Sequence, residues 1–159
     1  MKSNKNKIIL DATCGGRHIW YDKKHPAVVY MDRRVEPKGT IKVRPNWCVE
    51  PDVIADFRKM PFRSNTFALV VFDPPHIIRK KTSTSVIRMK YGELGDDWAR
   101  ALTEGFNECW RVLRPEGTLI MKWSETDKKL SDILKLLRQQ PLFGSRTGTS
   151  AVWLTFMKL

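Results

Sequence analysis

Acidic residues are what this 159-residue sequence is short of. Asp and Glu number 17 against 29 Lys and Arg, which leaves a formal net charge of +12. Such an excess suits a polyanionic partner, nucleic acid first and an acidic membrane surface second. Cysteine is scarce and odd in number, with Cys14, Cys48 and Cys109 far apart, no CxxC pair and no Cys/His cluster. Neither a disulfide framework nor a metal site is indicated. Long apolar runs are also missing. No run is long enough to span a bilayer, and the apolar part of the basic start MKSNKNKIIL is too short for a secretory signal. The expectation is a reduced, soluble, cytoplasmic protein with no membrane partner. Without a fixed-period repeat, a low-complexity tract or a Pro/Gly/Ser linker, residues 1–159 are expected to form one domain.

What is present alternates between strands and helices. KIIL (7–10), AVVYM (27–31), DVIAD (52–56) and FALVVF (67–72) are short apolar runs, each ending at or beside an aspartate. Apolar runs of this kind are buried on both faces, as in parallel sheets. TIKVR (40–44) reads as a further strand or edge piece, and GGRHIWYDKK (15–24) as a short helix or turn. In DDWARALTEGFNECWRVL, Trp98, Leu102, Phe106, Trp110 and Leu113 recur at helical spacing. Asp96 or Asp97 is the expected cap there, and Pro115-Glu116-Gly117 the stop. TLIMKW (118–123) is the next strand, TDKKLSDILKLLRQQ (126–140) a helix striped by Leu130, Ile133, Leu134 and Leu137, and 142–159 a terminal hairpin. The pattern predicts an α/β fold: a mostly parallel sheet with one antiparallel strand, and helices on both faces.

Ligands of open α/β sheets bind outside the carboxyl ends of the strands. Asp11, Asp32, Asp56 and Asp73 all fall there. Neither G-x-G-x-x-G nor GxxxxGK[ST] occurs, which disfavours a dinucleotide or a nucleoside triphosphate. A ligand that needs acids fits better. Asp32 is placed to accept from two ribose hydroxyls. Asp56-Phe57 suits an adenine amino group and ring, and Asp11 suits an ammonium. Together these describe S-adenosyl-L-methionine. Thr13, Cys14, Gly15 and Gly16 in the turn after Asp11, and Arg33 beside Asp32, complete the expected cofactor-binding set.

At LDATCGGR, VVYMDRR, IADFRKMPF, VVFDPPH and RVLRPEGTLIMKW the sequence resembles, in order, the motif blocks of class I S-adenosylmethionine-dependent methyltransferases. The resemblance runs from about Ile8 to Trp123 and implies a Rossmann-like sheet of seven strands, the last antiparallel. Asp73-Pro74-Pro75-His76 looks like the DPPY-type catalytic loop of the amino-methyltransferases, which mainly alkylate adenine in DNA or RNA. His76 stands where that loop usually has Tyr, Phe or Trp, and Arg17 where the cofactor turn usually has its second glycine. The implied enzyme is an N-methyltransferase. Asp73 and the Pro74 carbonyl would hold the amine, the two prolines would stiffen the loop, and His76 would stack on the base or take its proton.

The basic stretch 77–92 is too long for an ordinary strand–helix connection. Arg79, Lys80, Lys81, Arg88 and Lys90 are the expected phosphate contacts, with Tyr91 as a stacking platform. With no recognition domain in view, target choice would fall to this loop, a homo-oligomer or a partner subunit. Two alternatives remain open: an acceptor that is a protein side-chain amide, and a catalytically silent methyltransferase-like module that binds RNA or supports a partner.

Overall fold

The computed structural model describes residues 7–78 and 86–159. Its strands are β1 (Ile9–Asp11), β2 (Val28–Asp32), β3 (Val53–Ile54), β4 (Phe67–Phe72), β5 (Leu113–Ser124), β6 (Phe143–Thr147) and β7 (Ala151–Met157). They form one sheet in the order β3-β2-β1-β4-β5-β7-β6. β7 runs antiparallel to both its neighbours, and every other neighbouring pair is parallel. The expected sheet, with seven strands and one of them reversed, is the one observed. After β3 the chain returns across β1 to start β4, so the strand order reverses between β1 and β4.

Three helices lie among the described residues: α1 (Val86–Tyr91), α2 (Trp98–Val112) and α3 (Leu130–Leu134). α2 buries Leu102, Phe106, Cys109 and Val112, four positions at helical spacing. They join Leu10, Met31, Phe72, Leu119, Met121, Trp123 and Phe156 from the sheet in one core. Ile133 of α3 and Leu137 beyond it close the same core. The links β1–β2, β2–β3 and β3–β4 are turns without a helix. Opposite the main core, Ile9, Val28 and Tyr30 are covered by Cys14 and Trp20 from the first of these turns.

Four local expectations change. Residues 40–44 form a turn rather than a strand: Gly39 takes φ +87°, and Arg44 N–H closes back onto the Ile41 carbonyl at 2.9 Å. Ile41 is still buried, against Trp47 and Val49. The helix expected over 126–140 shrinks to Leu130–Leu134. Glu125 accepts the Leu130 N–H at 2.8 Å and Trp123 donates to the Lys128 carbonyl at 3.0 Å, so 125–129 is held as a turn. Asp97 sits at the N-cap of α2 but caps nothing with its side chain, because Arg100 takes its carboxylate. Pro115-Glu116-Gly117 stops no helix. α2 passes directly into β5, and these residues form its irregular start, where the register against β4 shifts.

Trp123 is fully buried near the end of β5. Trp123→Ala should lower the unfolding free energy by about 3–5 kcal/mol, the usual cost of emptying an aromatic core site. Urea denaturation checks this, and a loss below 1 kcal/mol would contradict the core described.

Candidate functional site

Asp11 closes β1, Asp32 closes β2, and Asp73 is the first residue beyond β4. β1 and β4 pair with Asp11 opposite Val71, which sets the two acids on the same rim at the strand-order reversal. The turn after β1 is stitched to its neighbours on both sides. Ala12 N–H donates to the Val71 carbonyl at 2.9 Å and Cys14 N–H to the Met31 carbonyl at 2.8 Å. Asp73 N–H donates to Thr13 Oγ1 at 2.9 Å. The three acids line one cleft, together with Thr13, Cys14, Gly15 and Gly16.

Gly15 takes φ +46° and donates its N–H to Asp32 Oδ2 at 2.9 Å. Gly16 has no room for a side chain, since a methyl group there would lie 2.7 Å from Trp47 Nε1 and 2.8 Å from His18 Nε2. Arg17 follows at φ +55°, a left-handed conformation that glycine adopts freely and arginine rarely. Its guanidinium is held by the Lys23 and Glu50 carbonyls and lies 3.8 Å from the centre of the Tyr30 ring. These contacts let an arginine stand where the resemblance leads one to expect glycine.

Each acid is compensated differently. Asp11 is buried and accepts from the Trp20 indole at 2.6 Å and from Thr13 N–H at 3.2 Å. Burial pushes its carboxyl up to about 7; the two hydrogen bonds pull back, and the charges of Asp73 and Asp32 push further up. Asp73 is also raised by burial, against the pull of the Lys122 ammonium 3.1 Å from Oδ2 and of His76. Asp32 accepts from the Arg34 N–H at 3.0 Å and from its Nε at 3.4 Å. The same guanidinium donates to the Met89 and Lys90 carbonyls at 3.2 Å each, tying the last turn of α1 to the rim. Lys90, Tyr91 and Gly92 thereby line the cleft, whose cavity volume is about 70 Å³. Burial and the Asp11 and Asp32 charges push the Cys14 thiol well up, away from the reactive thiolate form.

Of the residues expected from sequence, Arg33, Phe57 and Pro75 also line the cleft. Pro74 is buried and, like His76, lies outside the lining; the His76 ring packs 5.8 Å from Tyr91. Burial lowers the His76 pKa. Asp56 is not in the lining either: Arg58 engages both its carboxylate oxygens, and Ala55 lines the cleft in its place. Arg88 pairs with Glu93 rather than standing free. Arg79, Lys80 and Lys81 lie outside the described residues. Lys122, Arg34, Trp20 and His18 were missed. A lone lysine inside the apolar strand LIMKW was a visible signal for Lys122, whereas nothing local marks the other three.

No protein-family model and no curated protein sequence matches the chain. Solved structures do share its fold. The PH0226 protein of Pyrococcus horikoshii is 15% identical, over 95% of this chain and 81% of its own, with a TM-score of 0.63. The 1,6-didemethyltoxoflavin-N1-methyltransferase of Burkholderia thailandensis, solved with S-adenosylhomocysteine, is 17% identical over 94% and 70%, at 0.56. A SAM dependent methyltransferase of Aquifex aeolicus is 15% identical over 98% and 85%, at 0.55. The chain has the Rossmann-like fold these methyltransferases share.

Because the folded pKa of Asp11 lies above its ordinary 3.8, its contribution is fully present below about pH 4 and lost as pH rises through about 7. A displacement of that size corresponds to a loss on the order of 4 kcal/mol. Urea midpoints of the wild type should therefore fall more between pH 5 and pH 8 than those of Asp11→Asn. Parallel profiles would refute the assignment.

Proposed function

We propose that the chain is an S-adenosyl-L-methionine-dependent methyltransferase that alkylates an exocyclic amino nitrogen of a nucleic-acid base, adenine first. One observation carries this. Asp11, Asp32 and Asp73 line one cleft and Asp11 feels the charge of the other two, yet no group of side chains among the described residues is arranged to hold a metal ion. A spread-out organic cation suits such a row. Asp73 has Lys122 and Asp32 has Arg34, whereas Asp11 has only neutral donors, so a ligand's positive charge is best placed beside Asp11.

The residues fit the cofactor. A carboxylate offers about four acceptor sites. Asp32 uses three, one of them on a long 3.4 Å contact that a ribose hydroxyl would improve on. Ala55 and Phe57 supply the apolar wall for an adenine ring, while the amino-group contact expected of Asp56 is left without a side chain in the lining. The free volume of the cleft, about 70 Å³, is below the roughly 300–1,000 Å³ of small-molecule sites. The last turn of α1, tied to the rim by Arg34, forms part of its wall. That the fold also occurs in a protein solved with S-adenosylhomocysteine supports this assignment.

Bound cofactor would supply an electrophilic methyl group on sulfonium. Asp73 Oδ1 accepts one N–H of the incoming amine while Lys122 keeps Oδ2 and pulls the carboxyl toward its ionised form, against burial. The Pro74 carbonyl accepts the second N–H. Positive charge growing on the nitrogen is stabilised by these acceptors, and neither proline offers an N–H that would compete for them. Tyr91 presents a flat ring to the base, and His76 packs beside that ring just outside the lining. The nitrogen's proton leaves to His76, neutral because of its burial, or to solvent.

Asp32→Ala should weaken S-adenosylmethionine binding at least tenfold by calorimetry, as expected for losing charge-assisted hydrogen bonds. Asp73→Ala should cut tritium transfer from labelled cofactor to nucleic acid by about 10²-fold or more. Label found in protein and not in nucleic acid would overturn the acceptor, and equal cofactor binding by Asp32→Ala would overturn the site.

Lys122→Met gives a separate check. Removing the ammonium leaves the Asp73 carboxyl with burial and less opposing charge, so it keeps its proton to higher pH. Since the carboxylate is the stronger N–H acceptor and alone carries the charge that stabilises a developing ammonium, the acid limb of the transfer rate should move to higher pH. An unmoved limb would remove Lys122 from the mechanism.

A further inference from the structure

Behind the Gly15-Gly16 turn lies a second hollow, with a cavity volume of about 580 Å³. Its walls carry five basic side chains, Arg17, Lys23, Lys24, Lys38 and Arg44, against a single acid, Glu50. Arg17 is spent on backbone carbonyls and the Tyr30 ring. The other four are exposed and make no ion pair among the described residues. Arg58, Arg100, Arg111 and Arg146 pair with Asp56, Asp97, Glu108 and Glu125. Here four cations without an acid partner share one concave place.

A second feature points to a ligand there. Trp47 is 7% exposed, and its indole Nε1, beside Gly16 and His18, is buried with no acceptor. Buried donors almost always have a partner, so an acceptor brought by a ligand would satisfy this one. Gly15, Gly16 and His18 belong to the lining of both the hollow and the catalytic cleft. A strand lying in the hollow would therefore pass one thin wall away from Asp73.

We propose that this groove binds the phosphate backbone of a single-stranded nucleic acid beside the nucleotide whose base enters the cleft. The acceptor class comes from the function proposed above; the groove itself is a separate site. Lys23, Lys24, Lys38 and Arg44 neutralise successive phosphates, and His18 and Trp47 form the wall over which the target nucleotide turns toward Tyr91. Backbone contacts of this kind position a substrate without selecting its sequence. A single strand suits them better than a duplex, because the base must leave its stack to reach the cleft.

The test compares Lys23→Gln/Lys24→Gln/Lys38→Gln/Arg44→Gln with Lys59→Gln/Arg63→Gln/Arg114→Gln/Arg138→Gln, which removes four exposed cations outside the linings of both cavities. Anisotropy of labelled 20-nucleotide RNA and DNA strands is followed against salt, with phosphatidylserine vesicles as a separate arm. Each lost phosphate contact lowers the single-strand salt slope by about 0.7. The groove variant should lose about 3 in slope, and at least tenfold in affinity at 0.1 M salt, and the control variant much less. Calorimetry with S-adenosylmethionine should read the same for both, which shows that the groove variant is folded. Equal losses in the two variants, or binding to vesicles but to neither strand, would overturn the groove. Tritium transfer measured in parallel separates the two proposals. Groove-dependent binding without transfer leaves the groove and removes the activity, whereas transfer indifferent to the four substitutions does the reverse.

Discussion

The parallel pairing of β1 with β4 is the constraint on which the site depends. It sets Asp11 opposite Val71, so that Asp73, two residues on, reaches the same rim. The Thr13 hydroxyl then binds the backbone of Asp73 itself. Two carboxylates are thereby held close in a place from which water is largely excluded. Burial raises the cost of ionising both, and for Asp11 the charge of Asp73 adds to it. Such an arrangement persists in a fold only if the surrounding packing outweighs it. The tightly filled core under β4 and β5 provides that packing, with Phe72, Leu119, Met121 and Trp123 at most 1% exposed.

Compensation then decides which acid is available for what. Lys122 comes from β5, the other neighbour of β4, and reaches Asp73 from the far side of the sheet order. Arg34 comes from the end of β2 and reaches Asp32. Asp11, on the central strand, has no cation of its own and borrows donors from Trp20 and Thr13. One rim thus offers three chemically different carboxylates: one near neutrality in its proton affinity, one balanced by an ammonium, and one shared with a guanidinium that also holds a helix. The differences arise from strand position rather than from the residue type, which is aspartate each time.

That explains how much of the site was legible. Strands that end in aspartate show in the sequence because burial and termination are both local signals. FALVVF was read to the residue as β4, and the acids at its end and at those of β1 and β2 converge as expected. The partners of those acids were not legible, because Trp20, Arg34 and Lys122 are brought in by tertiary contacts. Asp56 shows the converse. Its position at a strand end matched the pattern, but Arg58 lies two residues away and takes the carboxylate before any ligand could. The stripe Leu130–Leu137 was correct as a buried face, since Ile133 and Leu137 are in the core. Its helical length was not, because a hydrogen bond accepted by Glu125 and one donated by Trp123 fix the preceding turn, and no periodicity reports them.

A strongly basic protein with an acidic rim looks contradictory until the two cavities are taken together. The cleft lining carries three acids and four bases, Arg33, Arg34, Lys90 and Lys122, so it is close to balanced. The groove beside it carries five bases and one acid. Positive potential therefore concentrates next to the cleft rather than in it, and at physiological salt it is felt over roughly 8 Å. A polyanion drawn to this chain would be held at the groove, while the cleft keeps the balance that a small organic cation requires. The wall between them is made where Gly16 lets the Trp47 ring and His18 close in. A side chain at position 16 would force those rings apart, so the separation of the two electrostatic environments depends on the absence of a single Cβ.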